Sequence, residues 1–368
     1  MEKKNKDKPA GLNILKGVDQ PGMLNISAIK KHKSRKLIDI KVQEYVDGIL
    51  QGNPVLLSRA ITLIESSLSQ HYVIAQQILD KCLPFTGKSI RIGITGIPGV
   101  GKSTFIEAIG STLIRDGKKV AVLAVDPSST KSRGSILGDK TRMAKLSVEA
   151  NAFIRPSPSS GTLGGVARKT RETILLCEAA GFDTILIETI GVGQSETTVH
   201  SMVDFFLLLM LPGIGDELQG IKRGIMELAD MIVLNKSDDH TKDKINLAER
   251  TCINALHLFP PAVSGWIPKV QHCSSVTLSG IKEIWDVITG YKQFTSANGY
   301  FEQNRKDQAK FWLYETINNE LLRSFSSDKR VHARIKLMEH DVLLNKVSPF
   351  IAAQQLLNIY LGKDWSAK

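Results

Sequence analysis

The sequence GIPGVGKS at residues 96–103 decides the fold, because glycines spaced in this way before a Lys-Ser pair are typical of a phosphate-binding loop. The apolar run SIRIGIT at residues 89–95 predicts a buried strand before the loop, and residues 104–115 have a helical pattern after it. In such a unit backbone N–H groups surround the phosphates, Lys102 reaches the terminal phosphates and Ser103 binds Mg²⁺. The sequence therefore predicts a nucleoside triphosphate site. Its predicted nucleotide contacts are Gly96, Gly99, Val100, Gly101, Lys102, Ser103 and Thr104.

The segment NKSD at residues 235–238 indicates which base is bound, since it follows the apolar run DMIVL at residues 230–234. Asp238 can accept hydrogen bonds from both the ring N–H and the exocyclic amine of guanine, and adenine has no such pair of donors. The alternative is that Ser237 and Asp238 cap a helix. The pattern favours guanine, so GTP and GDP are the expected ligands. The other predicted base-side contacts are Asn235, Lys236 and the loop of Ser274, Ser275 and Val276.

Apolar strands alternate with helical stretches from residue 89 to about residue 290. This alternation predicts an α/β fold of the P-loop NTPase kind, with a mostly parallel twisted sheet, helices on both faces and the ligand at the carboxyl ends of the strands. The predicted strands lie near residues 89–95, 119–125, 152–155, 183–188, 203–211, 230–235 and 269–273.

Four segments follow along the chain from composition and periodicity. Residues 1–36 are expected to be a basic, disordered tail, and residues 37–86 a helical preface. Residues 87–292 form the predicted P-loop GTPase domain, and residues 293–368 a helical arm. The arm helices either complete the core or pack on a second copy of the chain, and the amphipathic stripe favours a homodimerisation arm. The stripe consists of Ala309, Leu313, Ile317 and Leu321.

Carboxylates near the predicted strand ends are candidates for the metal and the attacking water. Glu188 ends the strand before Gly191, whose N–H is expected to meet the γ-phosphate, while Asp126 and Asp139 lie on a glycine-containing segment. The alternatives are a plain strand-end carboxylate for Glu188 and turn residues for the two aspartates. No glutamine directly follows Gly191, so we expect slow turnover that a partner raises.

Charge and cysteine usage narrow the function class. Residues 1–36 contain ten Lys or Arg and three acidic residues, so they hold +7 of the net charge of +11. No aromatic residue lies among these lysines, and this pattern argues against a nucleic-acid partner. No apolar run approaches the length of a membrane span, and no signal-peptide core begins the chain. The four cysteines have no paired spacing, so we expect a reducing, cytoplasmic location.

Six segments, in this order and spacing, resemble the MeaB/ArgK family of P-loop GTPases in the SIMIBI class, which includes the methylmalonic aciduria type A protein. The resemblance covers roughly residues 40–365. An older label of the family is LAO/AO transport system kinase. The matching segments are GIPGVGKST, VDPSS, GSILGDKTRM, ETIGVGQSE, PGIGDELQGIK and NKSD.

The resemblance implies a homodimeric GTPase chaperone that gates adenosylcobalamin loading and protection of an acyl-CoA mutase such as methylmalonyl-CoA mutase. Two alternatives stay open: a metal-insertion GTPase of the hydrogenase or urease maturation kind, and a transport-associated kinase or ATPase. The dispersed histidines, unpaired cysteines and absence of a protein-kinase catalytic loop argue against them. The family match places Lys102 and Ser103 at the phosphates and Mg²⁺, Asp126, Asp139 and Glu188 in the metal and switch region, Asp238 at guanine, and Gln219 and Lys222 in a third switch that orders when the mutase docks.

Overall fold

A parallel sheet of seven strands organises the computed structural model, which describes residues 40–125, 143–156, 163–189, 195–212 and 223–362. Each strand lies within two residues of its predicted position, and the predicted fold class is confirmed. The strands are β1 (Ile90–Gly96), β2 (Val120–Val125), β3 (Ala152–Pro156), β4 (Thr184–Thr189), β5 (Phe205–Met210), β6 (Met231–Leu234) and β7 (Lys269–His272).

Helices precede, connect and follow these strands. The described helices before and within the sheet region are α1 (Val42–Leu50), α2 (Pro54–Glu65), α3 (Ser69–Cys82), α4 (Lys102–Arg115), α5 (Leu163–Ala179), α6 (Ser195–His200), α7 (Arg223–Glu227), α8 (Lys242–Leu256) and α9 (Ile281–Ala297). Those of the C-terminal arm are α10 (Tyr300–Ser327), α11 (Lys329–Leu343) and α12 (Pro349–Leu361).

The strand order β3-β2-β4-β1-β5-β6-β7 places β1 at the centre of the sheet. Within β1, Ile92 pairs with Leu186 of β4 on one side and with Phe205 of β5 on the other, both in parallel. The chain fills the β2 side first and then crosses β1 to the β5 side. Because all the strands are parallel, their carboxyl ends share one edge, where ligands of open α/β sheets bind.

Both faces of the central strands are buried, which explains their nearly continuous apolar sequences. On one face Ile92 and Ile94 of β1 pack with Phe105 of α4 and Ile284 of α9. The opposite face of β5 and β6 packs against Met226 of α7, among other residues. The phosphate-loop helix is thereby held against the sheet by core contacts.

The helical preface packs beside the sheet, and its helix α2 has a side-chain cap. Asn53 begins α2, where its side-chain oxygen accepts hydrogen bonds from the N–H groups of Val55 and Leu56 at 3.0 and 3.2 Å, with Pro54 in the first turn. Helices α2 and α3 contact α5, and the described residues from Val42 onward belong to one compact unit. No helix in the described ranges is long and apolar enough to cross a membrane.

The arm is fixed to the sheet by an ion pair whose aspartate is buried and whose arginine is half-buried. Arg305 of α10 donates to both carboxylate oxygens of Asp204, at 2.8 and 2.6 Å, and to the carbonyl oxygens of Gly87 and Ser89. Asp204 also accepts from the backbone N–H of Arg91 at 2.8 Å. These bonds join the start of α10 to the amino ends of β1 and β5.

The face of α10 that contacts the sheet region contains Trp312, whose indole N–H donates to the Ser201 carbonyl at 3.1 Å. The predicted stripe of Ala309, Leu313, Ile317 and Leu321 points away from the core, since all four residues are exposed. Periodicity correctly predicted the helix. The interpretation that this stripe completes the core of its own chain is wrong.

Candidate functional site

The phosphate loop combines glycine conformations with close backbone approach. Gly101 has φ +94°, and a Cβ added there would lie 2.8 Å from the amide nitrogen of Asn235. A Cβ on Gly96 would lie 2.5 Å from the Leu209 carbonyl oxygen. Helix α4 begins at Lys102, directly after Gly101, so the unpaired N–H groups of its first turn and its dipole face the loop. This arrangement can hold phosphate oxygens.

The side chain of Lys102 folds back onto the phosphate loop. Its ammonium donates to the carbonyl oxygens of Gly96 at 2.8 Å and Ile97 at 3.2 Å, and the side chain is buried. Burial lowers the pKa of Lys102, and the carboxylates of Glu188 and Glu196 oppose that shift. The carbonyl oxygens therefore hold the Lys102 ammonium next to the loop, and phosphate oxygens can replace them as its partners.

The hydroxyl of Ser103 donates to a carboxylate oxygen of Glu188 at 3.0 Å, so the ends of α4 and β4 meet at this point. Beside this contact the hydroxyl of Thr189 donates to that of Thr95 at 2.9 Å, which ties β4 to β1. Hydroxyl and carboxylate oxygens are the ligands that Mg²⁺ prefers. The pair fits a magnesium site at the carboxyl edge of the sheet.

Asn235 joins the phosphate loop to the loops after β6 and β7. Its amide nitrogen donates to the Val100 carbonyl at 2.9 Å, and its amide oxygen accepts from the hydroxyl of Ser275 at 2.8 Å and from the backbone N–H of Ser275 at 3.3 Å. The side chain is buried, with 1% exposed. The two halves of the predicted nucleotide site therefore form one hydrogen-bonded unit.

The loop after β6 exposes the predicted base-reading carboxylate. Lys236 has φ +58°, which is uncommon outside glycine, and the next N–H, that of Ser237, donates to the Cys273 carbonyl at 3.0 Å. Asp238 is exposed within a short 3₁₀ turn, Ser237–Asp239. Helix α8 begins only at Lys242, after Thr241, so the alternative that Ser237 and Asp238 cap a helix is wrong.

The loop after β7 has a defined internal structure. The N–H of Ser274 donates to the Ser279 carbonyl at 3.0 Å, and the Ser274 hydroxyl accepts from the N–H of Thr277 at 3.1 Å. Ser274 and Ser275 are buried, whereas Val276 is exposed. Of the three residues, Val276 presents its surface outward.

The structure brings the described candidates to the carboxyl ends of β1, β4, β6 and β7. Thr104, in the first turn of α4, is exposed there as well. The remaining candidates lie outside the described residues: Asp126, Asp139, Gly191, Gln219 and Lys222.

Sequence reasoning missed Glu196. This residue is 1% exposed, and neither of its carboxylate oxygens has a hydrogen-bond partner in the described part of the chain. Its charge nevertheless acts on Lys102. The available signal was its position at the end of the segment ETIGVGQSE, residues 188–196, where only the first glutamate was chosen.

Comparison with known proteins identifies the family. Residues 57–330 match the model of the family described as methylmalonyl-CoA mutase-associated GTPase MeaB. The chain is similar to the Escherichia coli GTPase ArgK, with 45% identity over 313 residues that cover 85% of this chain and 95% of that protein. It is also similar to the mitochondrial methylmalonic aciduria type A homolog of Mus musculus, with 44% identity over 354 residues that cover 92% and 85% of the two chains.

A solved structure supports the same assignment. The crystal structure of an LAO/AO transport system kinase superposes with a TM-score of 0.68 at 37% identity, covering 87% of this chain and 97% of that one. Fold, linked nucleotide loops and family model agree on one class of protein. The chain therefore belongs to the MeaB family of GTPases, which bind guanine nucleotides.

Proposed function

We propose that this chain is a GTP-hydrolysing chaperone that gates adenosylcobalamin loading and protection of an acyl-CoA mutase, with methylmalonyl-CoA mutase as the first candidate. The observation that carries the proposal is the match of residues 57–330 to a family described as mutase-associated. The similarity to the mouse methylmalonic aciduria protein points in the same direction. The nucleotide acts as the signal, and the mutase is the client.

At the phosphates, the proposal assigns charge compensation to Lys102. Its ammonium exchanges the carbonyl oxygens of Gly96 and Ile97, now at 2.8 and 3.2 Å, for oxygens of the terminal phosphates. The N–H groups at the start of α4 hold the remaining oxygens. The barrier to phosphoryl transfer falls because positive charge faces the group on which negative charge develops.

Mg²⁺ is part of this proposal, since the Ser103 hydroxyl and the Glu188 carboxylate lie 3.0 Å apart with oxygen ligands of the right kind. Ser103 would bind the ion directly and Glu188 through water. The ion supplies neutralisation of the phosphate charge when bound. Asp126 and Asp139 are proposed to complete the metal and water-positioning groups.

We propose that the partner acts on GTP hydrolysis through the segments that follow β2, β4 and β5. Asp126 directly follows β2, Gly191 lies two residues after β4, and residues 213–222, with Gln219 and Lys222, follow β5. These three strands end at the edge where the phosphate loop lies. This connectivity supports the proposal that docking of the mutase brings Gln219 and Lys222 to the γ-phosphate.

Guanine selection is assigned to the exposed carboxylate of Asp238. This residue lies three positions after Asn235, which bonds to the phosphate loop. Lys236 flanks the base, and the backbone N–H of Val276 is proposed to meet the base carbonyl, because the N–H groups of Ser274 and Ser275 donate within the protein. The base is therefore read by groups anchored to the phosphate loop.

A homodimer formed through the arm is also proposed. Large apolar side chains are exposed along all three arm helices, and burying such a surface on a second copy is strongly favourable. The Arg305–Asp204 pair attaches the arm to its own chain, so the arm can present this surface. The exposed residues include Leu313, Tyr314, Ile317, Leu321, Leu322, Leu337, Leu343, Phe350 and Ile351.

The family match favours the mutase over both alternatives, metal insertion and transport-linked phosphorylation. The transport label belongs by name to the protein of the superposed crystal structure. We also propose a cytoplasmic location, supported by four cysteines that are all buried and free: Cys82, Cys177, Cys252 and Cys273.

Replacing Asp238 with Asn should exchange guanine for xanthine. The Asn amide can donate to the oxygen that xanthine has in place of the guanine amine, while GDP loses two charge-assisted hydrogen bonds, so GDP affinity should fall about 100-fold or more. Titration with GDP and xanthosine diphosphate measures the change. Asp239→Asn, an exposed carboxylate one residue on, is the matched control and should leave both affinities unchanged. An unaltered GDP preference in Asp238→Asn contradicts the assignment.

Replacing Leu321 with Asp should separate the dimer. Leu321 is 55% exposed in one chain, so the change leaves the monomer folded but puts a charge into the proposed interface. Light scattering after gel filtration should give twice the chain mass for the wild type and one chain mass for the variant. Val263→Asp, at an apolar residue of 94% exposure outside the arm, should remain dimeric. A wild type that is monomeric at micromolar concentration refutes the arm interface.

The mutase proposal predicts that methylmalonyl-CoA mutase from the same genome accelerates GTP hydrolysis by this protein about tenfold or more. The physical reason is that the partner completes the set of charges around the γ-phosphate. Phosphate release is measured with and without the mutase, and co-elution is measured with GDP and with a non-hydrolysable GTP analogue. Lys102→Ala should abolish both the basal and the stimulated rate. Slow hydrolysis that the mutase leaves unchanged, without co-elution in either nucleotide state, would rule out this client.

A further inference from the structure

Glu196 is a buried carboxylate whose environment differs from that of a structural one. Glu178, which is structural, accepts hydrogen bonds from Arg91, from the Ser89 hydroxyl at 2.6 Å and from the Gly87 N–H at 3.0 Å. Glu196 is equally inaccessible, but its two carboxylate oxygens accept no hydrogen bond from any residue in the described ranges. Burying a carboxylate in this way is costly, so donors from a bound group are the natural compensation.

The path of the chain places Glu196 near the phosphate loop. Asp204 donates its backbone N–H to the carbonyl of Arg91, near the start of β1, and Val199 lies 3.1 Å from where a Cβ on Gly93 would be. Residues earlier in this segment therefore contact positions nearer the carboxyl end of β1. Glu196 lies about one helical turn before Val199, which puts it further in the same direction. Its charge acts on Lys102 together with that of Glu188.

We propose that Glu196 is a positioning residue for the hydrated magnesium ion of the GTP site. Its carboxylate accepts hydrogen bonds from water bound to the ion and holds the ammonium of Lys102 on the same side. Mg²⁺ gives up its water reluctantly, so it normally retains several water molecules that need acceptors. Carboxylates in such an outer shell orient the bound groups and strengthen metal binding. This inference rests on the proposed Mg²⁺-dependent binding of GTP.

The experiment compares nucleotide affinity with Mg²⁺ and with a chelator, using GDP and a non-hydrolysable GTP analogue, in the wild type and in Glu196→Gln. The wild type should bind more tightly with Mg²⁺. In Glu196→Gln that enhancement should fall about tenfold or more, the size typical of lost outer-shell partners, while affinity in the chelator is retained. Melting of the nucleotide-free variant should occur at the same or a higher temperature, because the carboxylate that is replaced is buried and accepts no hydrogen bond from the described residues.

Two further variants make the comparison specific. Asp230→Asn removes a half-buried carboxylate that accepts from the Phe206 N–H at the amino end of β6, and its Mg²⁺ enhancement should equal that of the wild type. Glu196→Asp keeps the charge on a shorter side chain and should retain part of the enhancement.

Each result has a definite meaning. If Mg²⁺ raises the nucleotide affinity of Glu196→Gln as much as that of the wild type, this inference alone is overturned and Mg²⁺-dependent binding stands. A variant that loses affinity in the chelator and also melts at a lower temperature shows a structural role, which overturns it too. A wild type whose affinity ignores Mg²⁺ overturns the proposed magnesium site itself.

Discussion

The predicted nucleotide site depends on the hydrogen bonds of one buried side chain, that of Asn235. Its amide bonds to the Val100 carbonyl in the phosphate loop and to Ser275 after β7, and Gly101 has no room for a Cβ beside it. A buried amide with both ends bonded has one orientation, since rotation would leave polar groups unpaired. The phosphate loop and the loop of Asp238 are thus held at a fixed separation before a nucleotide enters.

The sheet connects the nucleotide loops to the arm through two adjacent strands. Strand β5 begins after Asp204, which Arg305 of α10 clamps, and ends before residues 213–222, where Gln219 and Lys222 are proposed to act. Its neighbour β1 ends in the phosphate loop. The predicted phosphate loop, the proposed switch segment and the arm therefore attach to two adjacent, fully buried strands. That arrangement suits a protein whose nucleotide state is proposed to be sensed by a larger enzyme.

Local patterns were enough to predict the strands and the glycine conformations of the loop after β1. A fully buried parallel strand is an apolar run, and backbone geometry dictates the glycine spacing. Properties that depend on distant residues were beyond the sequence. The pairing of Asp204 with Arg305 joins positions 101 residues apart, and helical periodicity predicted α10 without showing that Trp312, and not Leu313, faces the core. Burial of Glu196 likewise follows only from packing.

The most direct test of the linked site is the effect of Asn235→Ala on two ratios: the affinity for GDP over GMP, which reports the β-phosphate, and for GDP over ADP, which reports the base. Asn298→Ala removes a comparable amide bond, to the Ser264 carbonyl, away from the site and serves as the control. The account predicts that Asn235→Ala lowers both ratios by about tenfold or more while Asn298→Ala changes neither. A loss confined to base selection, with the β-phosphate contribution intact, would contradict it.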